Sequence, residues 1–316
     1  MTAHRNFKQR VRARAAKTGE SYTAALRHFR PTPPGEDMPE HTTLRIAVAQ
    51  STVRQDPTDA ALLRASGTEA RDLMRQAAAA GARLVHFTEG ALCFPSKHVM
   101  SELGPDEVGP ADWSKTDWAV LHDELDQITK LSRELNIWTV IPSVHQLPEA
   151  RPHNSMYVVS AAGKVVARYD ERALSTTKIT WMYTPGREPV TFEIDGYRFG
   201  LALGLDVLFP ELFTEYDRLD VDAVLVSYAS TGVGQNEHIG VQTRGTAANN
   251  TYWISLAVPA NPGAGLDSGV SDPHGVWAVQ GPSDSTPGIA VTDLHRVDVS
   301  QVGRDFRRRT RERIGS

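Results

Sequence analysis

Apolar and polar positions alternate in register through much of the chain. Leu44–Gln50 alternates in polarity and reads as a strand, and Asp59–Gly81 carries helical spacing into an alanine-rich turn and a glycine stop. Ala82–Glu89 reads as a second strand, Trp118–Leu135 as a helix and Ile137–Val144 as an apolar strand. Tyr157–Val159 and Val165–Tyr169 flank Ala161-Ala162-Gly163-Lys164, which predicts a hairpin. Arg198–Gly204 predicts a strand, and Pro210–Arg218 a helix opened by proline in its first turn. Val221–Tyr228 and Tyr252–Pro259 read as strands either side of a helix around Gln242–Asn250. A turn at Ser271–Gly275 leads to the strand Trp277–Val279, and Ile289–Leu294 reads as the last strand. Alternation of this kind predicts an α/β protein with both sheet faces covered.

The ends differ from this body. Residues 1–30 read as two short helices around Lys17–Glu20, the second capped by Ser21 with Tyr22, Ala25, Leu26 and Phe29 on one face. Residues 31–41 hold four prolines and a glycine and read as an extended linker. The expected organisation is a basic helical extension (1–30), the linker (31–41), one large domain (42–300) and a basic helix or tail (301–316).

Charge sharpens this division. The net charge is −4, yet residues 1–30 carry eight Lys/Arg against one acid, and the C-terminal segment is again arginine-rich. An acidic body with basic ends predicts contact with an acidic surface: its own neighbour, another protein or nucleic acid. Arg10, Arg12, Arg14 and Lys17 are the candidate contacts. The stretch Ala15–Arg27 resembles the helical half of ribbon–helix–helix antitoxins. About six residues precede Phe7, too few for the strand that those proteins use to read bases. Docking of this basic segment on an acidic protein surface is the simpler reading.

No run approaches the length of a membrane span, and no secretory signal opens the chain. With a single cysteine, Cys93, no internal disulfide can form, and a cytoplasmic location is expected. The histidines show no metal-ligand spacing, and no glycine-rich loop cradles phosphate, so neither metal nor cofactor is expected.

Several motifs carry chemistry. Gly81–Gly90 is an apolar strand ending in Thr88-Glu89, and Tyr169-Asp-Glu-Arg-Ala-Leu174 follows the hairpin. A strand ends at Gly204, followed by Asp206, Phe209, Pro210 and Glu211. Asn249 and Tyr252 close a helix, and Ser271-Asp-Pro-His-Gly275 forms a turn. Together these resemble the nitrilase superfamily of carbon–nitrogen hydrolases, from about Leu44 to Val297. That resemblance implies a four-layer α-β-β-α sandwich, a homo-oligomer, and a small-molecule substrate or ligand. It also implies a Glu, Lys and Cys in the site, commonly supported by a second Glu. Glu89 stands at the general-base position, Glu171 at the lysine position and Gly204 at the cysteine position, while the place of the second glutamate, near Ile179, has no acid.

The family chemistry needs a thiolate to attack, a carboxylate to move its proton and a cation for the oxyanion. Gly204 offers no nucleophilic atom. A carboxylate at 171 opposes the developing charge by roughly 4 kcal/mol at ~4 Å and an effective dielectric of ~20. The expectation is a homologue without standard thiol catalysis that retains a small-ligand pocket. The alternatives are a hydrolase rebuilt around Glu89 and Glu171, and a nucleic-acid- or partner-binding protein acting through residues 1–30. Cys93 reads as a relocated nucleophile or, more simply, as a small buried residue. Lys178 reads as a replacement cation or, more simply, as a solvent-exposed lysine. Asp206 and Tyr228 complete the candidate pocket. Pairing of Glu171 with Arg172 or Lys178 is the simpler alternative to a shared carboxylate site.

Overall fold

In the computed structural model, residues 43–229, 236–260, 265–283, 286–296 and 301–314 are described. The expected extension and linker, with Arg10, Arg12, Arg14 and Lys17, lie outside them.

The two periodicities resolve into two sheets. One has the strand order β12-β1-β2-β3-β4-β5, built from β1 (Thr43–Gln50), β2 (Leu84–Phe87), β3 (Trp138–His145), β4 (His153–Val159), β5 (Val165–Asp170) and β12 (Gly288–His295). The other has the order β11-β10-β9-β8-β7-β6. It is built from β6 (Thr191–Ile194), β7 (Tyr197–Leu203), β8 (Ala223–Ser227), β9 (Trp253–Ala257), β10 (Gly269–Ser271) and β11 (Trp277–Gln280). Parallel pairing joins β1, β2 and β3 in the first sheet and β7, β8 and β9 in the second.

Burial divides these strands by face. On β1, Leu44, Ile46 and Val48 point between the sheets, while Ala47 and Ala49 point outward beneath the helices. Small outward residues let α1 (Ala60–Ala79) and α2 (Trp118–Leu135) sit close on the first sheet. Helices α3 (Pro210–Arg218) and α4 (Glu237–Asn250) cover the second through Phe213, Tyr216, Ile239 and Ala247. The inter-sheet layer includes Phe199, Leu201, Leu203, Leu225 and Trp253. Helix, sheet, sheet, helix is the expected four-layer sandwich.

Caps follow the sequence closely. Asp59 accepts from the amides of Ala61 and Leu62 at the start of α1, and Asp117 accepts from Val120 N at the start of α2. Asn136 ends α2 in the left-handed region. The sequence reading lacks β6, β10 and the π-helical turn Lys178–Met182. It leaves the C-terminal segment as helix or tail, and the structure has α5 (Gln301–Ile314) there.

Arg304 holds α5 in place. It is only 2% exposed and donates to the carbonyls of Thr251 at 3.1 Å and Val221 at 2.6 Å, at the C-terminal ends of α4 and α3. Arg311 donates to Asp217 and Asn250, and Arg308 to Asp220. Among the described residues, no helix is long and apolar enough to cross a membrane.

Candidate active site

The candidate residues meet where strands end. Glu89 follows β2 by two residues, Glu171 immediately follows β5, and Gly204 immediately follows β7. Inter-sheet ties fix these ends against one another. His86 on β2 contacts the hydroxyls of Ser255 and Ser227, each at 2.9 Å, and Ser227 donates to Phe87 O. Thr88 donates to Tyr228 O at 3.1 Å. Burial lowers the His86 pKa to about 3, so this bridge is neutral.

Lys178 is the correction of most consequence. The simpler sequence reading leaves it in solvent. Instead, its Nζ lies 2.8 Å from Glu89 Oε1 and 3.0 and 2.7 Å from the two oxygens of Glu171. The π-helical turn, closed by Tyr183 N donating to Lys178 O, directs the side chain inward. Glu171 thus pairs with Lys178, while Arg172 turns away to Glu215 at 2.6 Å.

Asn154, absent from the sequence reading, completes the cluster. Its Nδ2 donates to Glu89 Oε1 at 2.9 Å and to Glu171 Oε2 at 2.7 Å. Two backbone amides finish the carboxylates: Ala229 N donates to Glu89 Oε2 at 2.8 Å and Leu205 N to Glu171 Oε1 at 3.1 Å. The backbone of Glu171 is clamped as well, its amide on Asn154 O and its carbonyl receiving Gly186 N, each at 2.8 Å. Asn154 shares its strand with the neighbouring polar residues His153 and Ser155, so polarity alone does not single it out.

Both carboxylate side chains are buried (1% and 0% exposed), while the Lys178 side chain retains 21%. Burial pushes the Glu171 pKa up to about 7; Lys178 opposes this rise and Glu89 adds to it. Burial alone would lower the Lys178 pKa, but Glu171 and then Glu89 outweigh it and hold the ammonium above its ordinary value.

Gly204 adopts φ +58°, a left-handed turn from strand into a short 3-10 segment. A Cβ built there would overlap Glu171 Oε1, with Glu171 Cδ at 2.7 Å and Lys178 Nζ at 3.1 Å. The carboxylate therefore occupies the space that any side chain at 204 would need.

Three other expected pocket residues have surroundings of their own. Asp206 spends its carboxylate on Leu203 N (3.0 Å), Ala173 N (2.8 Å), Arg172 N (3.2 Å) and Tyr169 OH (2.7 Å). It ties the turn after β7 to the segment after β5. Cys93 is 2% exposed in the core beneath α1 and α2, and desolvation raises its thiol pKa, with Asp56 adding to the effect. That environment suppresses the thiolate. Tyr228 lies in the apolar cluster beneath α3 and α4. Among the described residues, no group of three or more His, Cys, Asp or Glu can hold a metal ion.

The sandwich fold has many counterparts among solved structures. The carbon-nitrogen hydrolase family profile matches residues 45–304, and the chain belongs to that family. A protein of Mycobacterium tuberculosis named as a hydrolase is 28% identical over 246 residues, covering 74% of this chain and 79% of its own. Among solved structures, a mutant of the Nesterenkonia AN1 amidase from the nitrilase superfamily superposes with a TM-score of 0.66 at 20% identity. The match covers 84% of this chain and 96% of that one. Another structure of that amidase, in which the acetamide moiety of fluoroacetamide is added covalently at the active site cysteine, gives 0.64 at 20% identity and covers 86% and 98%. A glutamine-dependent NAD+ synthetase from Acinetobacter baumannii gives 0.63 at 20% identity, covering 79% of this chain and 45% of that one.

Proposed function

We propose that this chain is a carbon–nitrogen hydrolase homologue that has given up thiol-dependent cleavage and now acts by binding a small ligand. The observation that carries this reading is the placement of the Glu171 carboxylate in the space above Gly204. Where the Nesterenkonia amidase has an active site cysteine, this reading puts a residue without a side chain. With no sulfur at 204, the thiol attack of the family chemistry has no nucleophile there. The cation for an oxyanion is still at hand, since Lys178 stands within 3.1 Å of the same space. Its charge is already committed to two carboxylates.

A second reading, a hydrolase rebuilt around Glu89 and Glu171, draws on the raised pKa of Glu171, about 7, which suits a general acid near neutrality. Water would then be the nucleophile. Every oxygen of the two carboxylates already has a donor, so this chemistry requires the cluster to open first.

A turnover screen against simple amides, N-carbamoyl compounds and nitriles separates the two. Wild-type protein is expected to be silent. A Gly204→Cys/Glu171→Ala variant, which keeps Lys178 and Glu89 and clears space for the thiol, is expected to gain measurable amide hydrolysis. Wild-type turnover that disappears in Glu89→Gln would overturn the binding reading and establish the rebuilt site.

A further inference from the structure

We infer that the hole lined by Lys178 Nζ, Asn154 Nδ2 and the Leu205 amide is a receptor for a small monocarboxylate, closed by the protein's own Glu171 as its resident ligand. This rests on the binding reading above and assigns its ligand class. Three donors from three separate segments converge on one carboxylate, at 2.7–3.0 Å from Lys178, 2.7 Å from Asn154 and 3.1 Å from Leu205. Charge-assisted donors arranged around two acceptor oxygens describe a carboxylate site irrespective of which molecule supplies the carboxylate.

Charge and space narrow the class. With Glu171 withdrawn, Lys178 and Glu89 balance one another, and one further negative charge restores the present state. A monoanion does this, whereas a dianion would add a charge facing Glu89 in a buried setting. Gly204 supplies room for the head group but for little else, because the carboxylate rests where its Cβ would be. A small carboxylate therefore takes the space that the Glu171 head group holds. Entry is beside Lys178, the partly exposed member of the cluster.

Exchange requires Glu171 to leave, and protonation loosens its hold on Lys178. The charged and titratable groups facing it are Lys178 from the π-helical turn and Glu89 from the end of β2. Tyr183, whose amide closes the turn on Lys178 O, and Cys93 have pKa values raised chiefly by burial and so are neutral near pH 7. Asp206, in the turn after β7, is engaged by Tyr169 and backbone amides. An outside carboxylate with an ordinary pKa remains ionised at pH 5.5, so it competes best there.

The test is calorimetric titration of acetate and propionate into the full chain. Glu171→Ala is expected to bind acetate at least tenfold more tightly than wild type at pH 7.5, and Glu171→Ala/Lys178→Met to lose that gain. Wild type is expected to bind more tightly at pH 5.5 than at pH 8, and this arm stands even if Glu171→Ala fails to fold. A folded Glu171→Ala no tighter than wild type, a gain that survives loss of Lys178, or a wild-type affinity indifferent to pH would each overturn the receptor. Catalytic silence is independent of all three results, so the two proposals fail separately.

Discussion

Gly204 and Glu171 are coupled by overlap rather than attraction. Alanine at 204 faces a left-handed backbone, which costs of the order of 1–2 kcal/mol for a residue with a Cβ, and a carboxylate already in its place. Gly204→Ala should therefore destabilise by more than the backbone penalty alone. In a Glu171→Ala background the excess should disappear, and denaturant titration of the four proteins should give a coupling energy of about 1–3 kcal/mol. Glu171 also leaves a pH signature. Its folded pKa, about 7, lies above the ordinary 4.5, so the folded state binds more protons between those values and stability falls as pH rises through that window. His86, lowered to about 3 from 6.5, acts oppositely, withdrawing stability as pH falls below 6.5. Wild-type stability alone thus mixes two slopes. The difference between wild type and Glu171→Gln should isolate the first, and a difference independent of pH from 4.5 to 7 would disprove it. Glu89, Glu171 and Gly204 were legible because the motifs around them resemble those of carbon–nitrogen hydrolases. Lys178 was legible only as one of two readings, replacement cation or solvent-exposed lysine, since its direction depends on a π-helical turn that no local periodicity announces. Asn154 was hidden because its role depends on two partners distant in the chain.

At the scale of elements, Asp206 joins the turn after β7 to the segment that carries Glu171. Removing its carboxylate leaves the buried Leu203 and Ala173 amides and the Tyr169 hydroxyl without their acceptor. Asp206→Ala is expected to cost about 2–4 kcal/mol, since each orphaned buried donor costs about 1–3 kcal/mol before relaxation; chemical denaturation would measure it. A cost below 0.5 kcal/mol would mean that the tie is incidental. Long amphipathic elements could be read directly: α2 spans Trp118–Leu135 and α3 spans Pro210–Arg218, each as its periodicity and first-turn signals require. Strands β6 and β10 escape because they are four and three residues long. Segments that short carry too few alternations for their pattern to stand out.

Across the whole molecule, the sandwich follows from which strand faces are apolar, and alternation along the chain reports that well. The place of the C-terminal helix is another matter. A segment with arginine at 304, 307, 308, 309, 311 and 313 resembles a solvated tail, yet Arg304 is buried against the ends of two helices. Guanidinium donors meeting buried carbonyls at and just past helix C-termini explain the burial. Arg304→Leu should lower stability by about 2–4 kcal/mol, because two buried carbonyls lose their donor, while Arg309→Ala on the exposed side should change it by less than about 0.5 kcal/mol. Equal effects in a thermal melt would remove Arg304 as the anchor.

The overlap at Gly204 also bears on history. A single change from glycine to cysteine would set a thiol against a carboxylate that cannot yield without abandoning Lys178, Asn154 and the Leu205 amide. Shortening residue 171 first leaves room for the later change. Any mutational route to a thiol at 204 is therefore ordered, with position 171 changing before 204, and selection for activity alone finds no reward in the first step.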